Sequence, residues 1–330
     1  MKKKIQWGIL GTAAIAVEQV IPAIRNSEYG EILAIASRSL GKAEKLANEF
    51  QVPKFLGSYE ALLADDEVQA VYIPLPNHLH VDWAIKALKA GKHVLVEKPI
   101  AMNCHEAKTL LEEAKKHPEL KVMEAFMYKF HPQWITAKKL VQDGSIGTLR
   151  IVQASFSFYE DDPDSIVNSR DFGGGSLMDV GCYPVSISRF LFHAEPIRIV
   201  SSLEYHPEFD IDIHASGVLE FEKGRTIFFS SIRLVENQAV KLFGTEGSIE
   251  FEIPFNPLPG QRAKIWLTKD GTKEEIDFKP CNQYTLQADA FSKSILDNTP
   301  QPVSLEDALK NMVAIQAVRT SDRLDKVIHL

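Results

Sequence analysis

The first 124 residues alternate short apolar runs with stretches of helical periodicity, and this alternation limits the possible folds more than any other feature. The apolar runs, which we expect to be strands, lie at 5–10, 31–37, 70–73, 93–97 and 121–125. Strands separated by helices pair in parallel through right-handed crossovers, and the helices then cover both faces of the sheet. The sequence therefore predicts an N-terminal α/β domain over residues 1–124.

Beyond this domain, most strands follow one another without intervening helices. Predicted strands lie at 150–158, 198–204, 214–221, 225–233, 238–243 and 248–251. Turn signals such as Lys223-Gly224 and Asp270-Gly271 separate several strands, as in antiparallel sheets. A helical stretch interrupts the run around 176–192, and helix returns near the end, where Ser304 is a candidate N-cap. Residues 125–330 are expected to form an α+β domain with a large open, mainly antiparallel sheet.

Charge and composition exclude several classes of partner. The formal net charge is −7, so the chain lacks the basic excess that neutralises nucleic-acid phosphates or anionic membranes. No run approaches the roughly 20 apolar residues that span a bilayer. The cysteines Cys104, Cys182 and Cys281 are far apart and odd in number, which argues against a disulfide framework or a CxxC metal site. We therefore expect a soluble cytoplasmic protein with neither a nucleic-acid nor a membrane partner.

The turn after the first strand is close to the dinucleotide fingerprint G-x-G-x-x-[G/A], with Gly11, Ala13 and Ala16 at its key positions. The fingerprint glycines permit a tight turn and let the backbone approach a pyrophosphate, which also meets the free N–H groups of the next helix. Ala13 departs from the pattern because its methyl group takes space where clearance is smallest. We predict a Rossmann dinucleotide-binding domain. The residues expected to hold the cofactor here are Gly11, Thr12, Ala13, Ala14 and Ile15.

The end of the second strand indicates which dinucleotide is preferred. Sites that prefer NAD usually have an acid here that binds the ribose 2′-hydroxyl, whereas this chain has Ser37, Arg38 and, one turn later, Lys42. A guanidinium and hydroxyl groups suit a 2′-phosphate through charge-assisted hydrogen bonds. Arg38 could alternatively be a solvated turn residue. The sequence favours NADP as the cofactor, with NAD as a second candidate.

The fifth strand ends in Glu97, Lys98 and Pro99. Ligands of parallel α/β sheets bind outside the carboxyl ends of the strands, so Lys98 can direct its ammonium group into that crevice. Pro99 stiffens the turn and removes one backbone donor. Taken alone, Lys98 could equally be an ordinary solvated charge.

A polar loop also follows the fourth strand. Residues of both loops expected to line the cofactor pocket are Pro74, Pro76, Asn77, His80, Glu97 and Lys98. His78 and His80, with Asp82 and His93 nearby, could suggest a metal site. Two residues apart on an extended segment, His78 and His80 point to opposite sides. We therefore predict no metal.

Three consecutive glycines begin a dense motif in the second domain and suit a backbone that passes close to a ligand. A serine after them can cap a short helix, which would put Asp179 and Tyr183 on one face at i, i+4 spacing. Asp179 could alternatively bond a turn, and Tyr183 could be core packing. Arg170, just before the glycines, could bind substrate hydroxyls or anions, or form a surface ion pair with Asp171 or Asp164.

These motifs occur in an order typical of one family. They are Gly11-Thr-Ala, Pro76-Asn-His-Leu-His, Glu97-Lys-Pro and the segment Gly174-Gly-Ser-Leu-Met-Asp-Val-Gly-Cys-Tyr. The chain resembles the glucose–fructose oxidoreductase/inositol dehydrogenase (Gfo/Idh/MocA) family over essentially its whole length. Residues 124–133 are similar to the branch with dimeric dihydrodiol dehydrogenase and NADP-dependent xylose and glucose dehydrogenases. The resemblance implies a Rossmann domain, a second domain with a large open sheet, a cis Lys98–Pro99 bond and dimers built through the sheet.

The resemblance also implies roles for individual residues. Tyr183 would exchange a proton with the substrate hydroxyl or carbonyl, as the general acid/base. A free tyrosine has a pKa near 10, and a nearby Lys98 ammonium would favour its phenolate. Asp179 would orient the substrate or Lys98, completing the catalytic set. The residues expected to bind the substrate are Lys98, Tyr128, Arg170, Asp179 and Tyr183.

The predicted strand 225–233 suggests an oligomer. Ile227 and Phe229 point to one face of the sheet and Phe228 to the other, although a sheet with one face in water should alternate apolar and polar residues. A monomer would expose part of this apolar surface. Packing about a two-fold axis would bury it, so we expect a homodimer or a higher homo-oligomer.

The sequence therefore predicts an enzyme. It would be an NADP-dependent oxidoreductase that transfers a hydride between a nicotinamide cofactor and a hydroxyl or carbonyl carbon of a sugar, a polyol or a cyclic diol. The alternative is a non-catalytic dinucleotide sensor or regulator of the same fold, although the joint presence of Lys98, Asp179 and Tyr183 favours catalysis. A lyase or glycosidase that uses transient oxidation is a third hypothesis.

Overall fold

The computed structural model describes residues 3–330, which fall into two compact units. One unit comprises the chain up to Met127 together with Asn282–Leu309. The other comprises Tyr128–Cys281 and Lys310–Leu330. The first two residues of the predicted N-terminal domain lie outside the described part of the chain. In the described part, no helix is both long enough and apolar enough to cross a membrane.

The first unit contains a parallel sheet. Its strands are β1 (Ile5–Leu10), β2 (Gly30–Ala36), β3 (Lys54–Leu56), β4 (Ala70–Ile73), β5 (His93–Val96) and β6 (Val122–Glu124). The helices between them are α1 (Ile21–Arg25) after the π-helical turn Ala16–Val20, α2 (Leu40–Phe50), α3 (Tyr59–Leu63), α4 (His80–Lys89) and α5 (Cys104–Ala114). The strand order is β3-β2-β1-β4-β5-β6, that of a doubly wound dinucleotide-binding sheet. The predicted parallel α/β architecture is confirmed.

Local signals account for most of these elements. All residues of β4 are buried, as expected for a strand covered on both faces. Asn103 caps α5, because its Oδ1 accepts the Glu106 amide at 3.0 Å while its Nδ2 donates to the Glu106 carboxylate at 3.0 Å. Gly91, at φ +75°, follows the end of α4. The short edge strand β3 lacks an apolar run, and the sequence did not predict it.

The second unit contains a large open sheet. Its strands are β7 (Leu149–Tyr159), β8 (Arg198–Tyr205), β9 (Asp212–Phe221), β10 (Gly224–Ser231), β11 (Arg233–Gly244), β12 (Gly247–Phe251), β13 (Ala263–Lys269), β14 (Thr272–Phe278) and β15 (Ile328–His329). The order is β14-β13-β12-β11-β7-β10-β9-β8-β15. Neighbouring strands are antiparallel except β7 and β10, which are parallel. The predicted mainly antiparallel sheet is confirmed, and β13 and β14 add a charged hairpin that the sequence did not predict.

Helices flank and follow this sheet. They are α6 (Pro132–Gln142), α7 (Cys182–Phe192) after the π-helical turn Leu177–Gly181, α8 (Gln283–Leu296) and α9 (Leu305–Leu324). Ser304 caps α9 as predicted, because its Oγ accepts the Asp307 amide at 3.2 Å. α7 packs against β7 and β10, which buries Phe228 at 3% exposure. Ile227 and Phe229 of the same strand remain 47% and 42% exposed.

α8 belongs to the first unit although it follows the sheet of the second. It packs against α1, β1 and β2. The Trp7 indole donates to Ser292 Oγ at 3.1 Å, and its ring lies 5.7 Å from that of Phe291. The prediction draws a single boundary after residue 124, whereas the structure divides the chain discontinuously. A helical pattern near the end of a chain carries no signal of which sheet it will cover.

Candidate active site

The turn after β1 presents backbone to a ligand. Gly11 has φ +110° and donates its amide to the Ala36 carbonyl at 2.8 Å. A Cβ atom at Gly11 would lie 3.1 Å from Leu75 Cδ2 and 3.6 Å from the Tyr59 hydroxyl, so both conformation and space suit glycine. Residues 12–15, at the start of the following helix, are half-buried or exposed. Accessible N–H groups at a helix start fit the pyrophosphate of a dinucleotide.

The end of β2 carries positive charge. Arg38 and Lys42 are exposed, and the positive charge of Arg38 is close enough to the Tyr59 hydroxyl to lower its pKa. Ser37 is buried, and its Oγ accepts the Ser39 amide at 3.3 Å, so it also shapes the turn. No acidic residue lies between Ser37 and Lys42. This turn fits an anionic group such as a 2′-phosphate better than a ribose hydroxyl.

His80 joins the loops that follow β4 and β5. It is fully buried, with Nδ1 2.8 Å from the Pro99 carbonyl and Nε2 2.6 Å from the Leu75 carbonyl. Burial lowers the pKa of His80 to about 4. The neutral ring has one N–H, so His80 donates to one of these two carbonyls and packs against the other, between the two loops; its expected contact with the cofactor stays a prediction. Of the other residues predicted in this loop, Pro74 is buried, and Pro76 and Asn77 are half-buried.

The turn after β5 is fixed by Glu97. Its carboxylate is buried and accepts the Tyr72 hydroxyl at 2.6 Å and the Lys98 amide at 3.2 Å. Lys98 itself is half-buried, and its bond to Pro99 is cis, as the family resemblance implies. Burial raises the pKa of Tyr284, at the start of α8, while Glu97 raises it further and Lys98 lowers it. Tyr284 therefore lies close to both charges, and no sequence motif identified it.

Asp179 and Tyr183 lie on one continuous helical segment of the second unit, formed by the π-helical turn and α7. Asp179 is half-buried, and Tyr183 is 5% exposed. The Tyr183 ring packs 5.0 Å from Phe255 and 5.4 Å from Phe156, measured between ring centroids. These aromatic neighbours hold the ring of Tyr183 in one orientation.

Asp212, at the start of β9, anchors the same segment. Its Oδ2 accepts the Leu177 amide at 2.5 Å. Gly175 has φ +103°, and a Cβ atom there would lie 2.5 Å from Asp212 Oδ1, so the glycine leaves room for this carboxylate. Burial raises the pKa of Asp212 to about 6, and Arg319 opposes that shift. Among the predicted motifs, only the glycine run pointed to this contact.

Two predicted substrate contacts differ in the structure. Tyr128 is fully buried, its hydroxyl lies 2.7 Å from Ser186 Oγ, and its ring packs edge-on against Trp134. Tyr128 is therefore part of the core of the second unit, and its contact with a substrate stays a prediction. Arg170 is exposed and paired with Asp210, in the turn between β8 and β9, and not with Asp171 or Asp164 as the sequence suggested. Within residues 3–330, no group of three or more metal-ligating side chains is present.

Models of known protein families match both units of the structure. The family model described as "Oxidoreductase family, NAD-binding Rossmann fold" matches residues 5–126, and the "GFO/IDH/MocA C-terminal domain" matches residues 134–250. An uncharacterised oxidoreductase of Rhizobium meliloti is 43% identical over 324 residues, which cover 96% of each chain. D-xylose 1-dehydrogenase (NADP(+)) 2 of Haloferax volcanii is 38% identical over 328 residues, covering 99% of this chain and 100% of that protein.

A solved structure gives the same result. The 3-ketoreductase from Actinomadura kijaniata, in complex with NADP and TDP-benzene, superposes with a TM-score of 0.91 at 28% identity, over 97% of this chain and 98% of that one. The two sheets and these matches define an oxidoreductase with an NAD-binding Rossmann fold. More particularly, the chain belongs to the Gfo/Idh/MocA family. The resemblance identified from the motifs is confirmed.

Proposed function

We propose that this protein is an NADP-dependent oxidoreductase that interconverts a hydroxyl and a carbonyl carbon of a sugar, a polyol or a cyclic diol. The observation that carries the proposal is the end of β2, where Arg38 and Lys42 are exposed and no acid is present. A relative of known name is an NADP-dependent xylose dehydrogenase, and a structural relative holds NADP. NAD is the weaker candidate because the turn offers no carboxylate for a ribose 2′-hydroxyl.

Cofactor binding is assigned to the first unit, in line with the predicted domain 1–124. The backbone at 11–15 would hold the pyrophosphate, and Arg38 with Ser37 and Lys42 the 2′-phosphate. The loops after β4 and β5, including Pro74, Pro76 and Asn77, would border the nicotinamide. When bound, the nicotinamide supplies the carbon that accepts or donates the hydride. Substrate binding and oligomerisation are assigned to the second unit.

Proton transfer is assigned to Tyr183. Its hydroxyl would take a proton from the substrate hydroxyl during oxidation and return one to the carbonyl oxygen during reduction. The Lys98 ammonium would stabilise the phenolate formed in the first of these steps. Asp179 would orient the substrate or Lys98. The aromatic packing around Tyr183 and the buried Glu97 beside Lys98 support these roles, because both hold their neighbours in place.

A substrate panel tests the proposal directly. Purified protein is mixed with NADP or NAD and with aldoses, inositols and cyclic diols, and the absorbance of the reduced nicotinamide is followed. We expect turnover with at least one member of the panel and a preference for NADP. Protein that binds NADPH yet oxidises no compound would favour a sensor, and retained cofactor without net reduction would favour a lyase or glycosidase.

We also propose that the protein is a homodimer or higher oligomer and that it works in the cytoplasm. The exposed apolar residues Ile227 and Phe229 support the first statement. The second statement rests on the sequence, in which three cysteines that are far apart and odd in number imply no disulfide framework.

A further inference from the structure

Tyr59 stands at a position that the proposed function leaves unassigned. It is the first residue of α3, directly after the N-cap Ser58, whose Oγ accepts the Ala61 amide at 3.1 Å. The side chain is 6% exposed. Its ring meets that of Trp83 edge-on, with centroids 4.9 Å apart and planes at 89°. Cap and ring contact together fix the direction in which the phenol hydroxyl points.

The hydroxyl of Tyr59 lies between the two parts of the proposed cofactor site. It is 3.6 Å from where a Cβ atom on Gly11 would be, and the guanidinium of Arg38 is close enough to lower its pKa. A guanidinium has donors only, so in a contact with Arg38 the Tyr59 oxygen accepts and its own proton stays available to donate. Burial raises the pKa of Tyr59, although Arg38 opposes the shift. The hydroxyl therefore keeps its proton at neutral pH.

Arg38 needs such a partner because its surroundings are open. It sits in an exposed turn with Ser39 and Leu40, which are also exposed. The Tyr59 hydroxyl is the one polar side-chain partner that residues 3–330 give it. An exposed arginine loses side-chain freedom when it binds a phosphate, and fixing it beforehand reduces that cost.

We infer that Tyr59 determines cofactor specificity by holding the guanidinium of Arg38 in place for the 2′-phosphate of NADP. The inference rests on the proposed function and deepens it. NADP preference then depends on a tyrosine–arginine pair and not on the arginine alone. NAD, which lacks the 2′-phosphate, gains nothing from the pair.

A double-mutant cycle read out by binding tests the inference. The dissociation constants of NADPH and NADH are measured for the wild type, Y59F, R38A and the double variant, by fluorescence titration without substrate. We expect Y59F to weaken NADPH binding about 3- to 10-fold and to leave NADH binding unchanged. In the R38A background, Y59F should change neither constant. The phenylalanine keeps the edge-on contact with Trp83, and thermal unfolding of the four apo-proteins reports whether the fold is intact.

Three results would overturn the inference. Equal losses for both cofactors in Y59F would mean that Tyr59 supports the turn at Gly11 in general. Full NADPH affinity in Y59F, with a wild type that prefers NADPH, would refute the role of Tyr59 and leave the proposed function standing. A wild type that binds neither cofactor would refute the proposed function, and this inference with it.

Discussion

Glu97 and Lys98 are adjacent in the chain, but they differ in burial and in the contacts that they make. The glutamate is buried and accepts bonds from Tyr72 and from the Lys98 amide. Its negative charge therefore fixes the turn, whereas the half-buried lysine keeps part of its side chain near solvent.

Arg38 provides the first prediction at the scale of the residue. Arg38→Asp replaces a donor for the 2′-phosphate by a carboxylate that repels it. NADP binding should weaken by roughly 1.5–3 kcal/mol, the value of a lost charge-assisted hydrogen bond, and NAD binding far less. Titration of both cofactors measures the difference. Equal affinity of the wild-type protein for NADP and NAD would contradict the prediction.

The second prediction at this scale concerns Tyr183 and Lys98. Tyr183→Phe should lower kcat by about 10²- to 10⁴-fold while NADPH binding stays nearly intact, because only the proton-transferring hydroxyl is removed. Lys98→Met should move the basic limb of the pH–rate profile upward, since in the proposed mechanism the phenolate of Tyr183 would lose the positive charge that stabilises it. Steady-state kinetics across pH measure both effects. Near-normal turnover in Tyr183→Phe would show that another group carries the proton.

The π-helical turn Leu177–Gly181 is the element that links these residue roles to the sheet. It brings Asp179 and Tyr183 onto one helical segment, and the buried carboxylate of Asp212 holds its first amide. Burial raises the pKa of Asp212 to about 6, so the ionised carboxylate lowers the free energy of unfolding at neutral pH. This effect on stability can be measured.

Variants of Asp212 should reveal the effect of its buried carboxylate in the pH dependence of the free energy of unfolding. A carboxyl whose pKa is higher in the folded state contributes stability below its unfolded pKa of about 3.8 and loses that contribution as pH rises through about 6. Asp212→Asn keeps an acceptor for Leu177 but does not titrate, so its stability relative to the wild type should rise between pH 4 and pH 8, by up to about 3 kcal/mol. Asp212→Ala should be less stable than Asp212→Asn by about 1–3 kcal/mol, because the Leu177 amide loses its partner.

Urea unfolding at several pH values measures these differences. Asp210→Asn is the matched control, because Asp210 is an exposed acid two residues away. Removing it should leave the shape of the pH profile nearly unchanged. If the stability curves of Asp212→Asn and the wild type ran parallel over the whole pH range, the assigned burial cost would be wrong.

Prediction from sequence succeeded where one local signal determines an element. The apolar runs at β1 and β4 gave their bounds as observed, because a strand buried on both faces needs an unbroken run. β3 and β14 are edge strands and β13 is the neighbour of β14, and the exposure of these strands permits charged residues. The full burial of Tyr128 could not be predicted, because a tyrosine next to a motif carries no sign of its burial. Asp212 and Tyr59 act through contacts distant in sequence, which no spacing rule reveals.

At the scale of the whole molecule, the open sheet leaves an apolar row across three strands. Val200, Val218 and Ile227 are register partners on β8, β9 and β10. Val200 and Ile227 are 46% and 47% exposed, and Phe229 extends the row on β10. Contiguous apolar surface of this kind marks an interface in soluble proteins. In the proposed oligomer, a second copy of the chain related by a two-fold axis would cover this row with the same residues.

Light scattering tests this assembly. We expect a dimer or a larger oligomer of the 37.0 kDa chain at micromolar concentration, with an interface of more than about 2,000 Å². Ile227→Lys should shift the population towards monomer, because the charge would be buried in the interface. Glu222→Lys, an exposed change just beyond β9, is the control and should leave the mass unchanged. A monodisperse 37.0 kDa wild-type species would refute the proposal.

The discontinuous first unit has a consequence for how the protein is made. Trp7 is translated long before its partners Phe291 and Ser292, which lie more than 280 residues further along the chain. On the ribosome, the nascent parallel sheet therefore stays uncovered on the face that α8 will occupy until all of β7–β14 has been synthesised. Until α8 is made, the first unit lacks one of its helices, and the apolar surface that α8 covers is exposed.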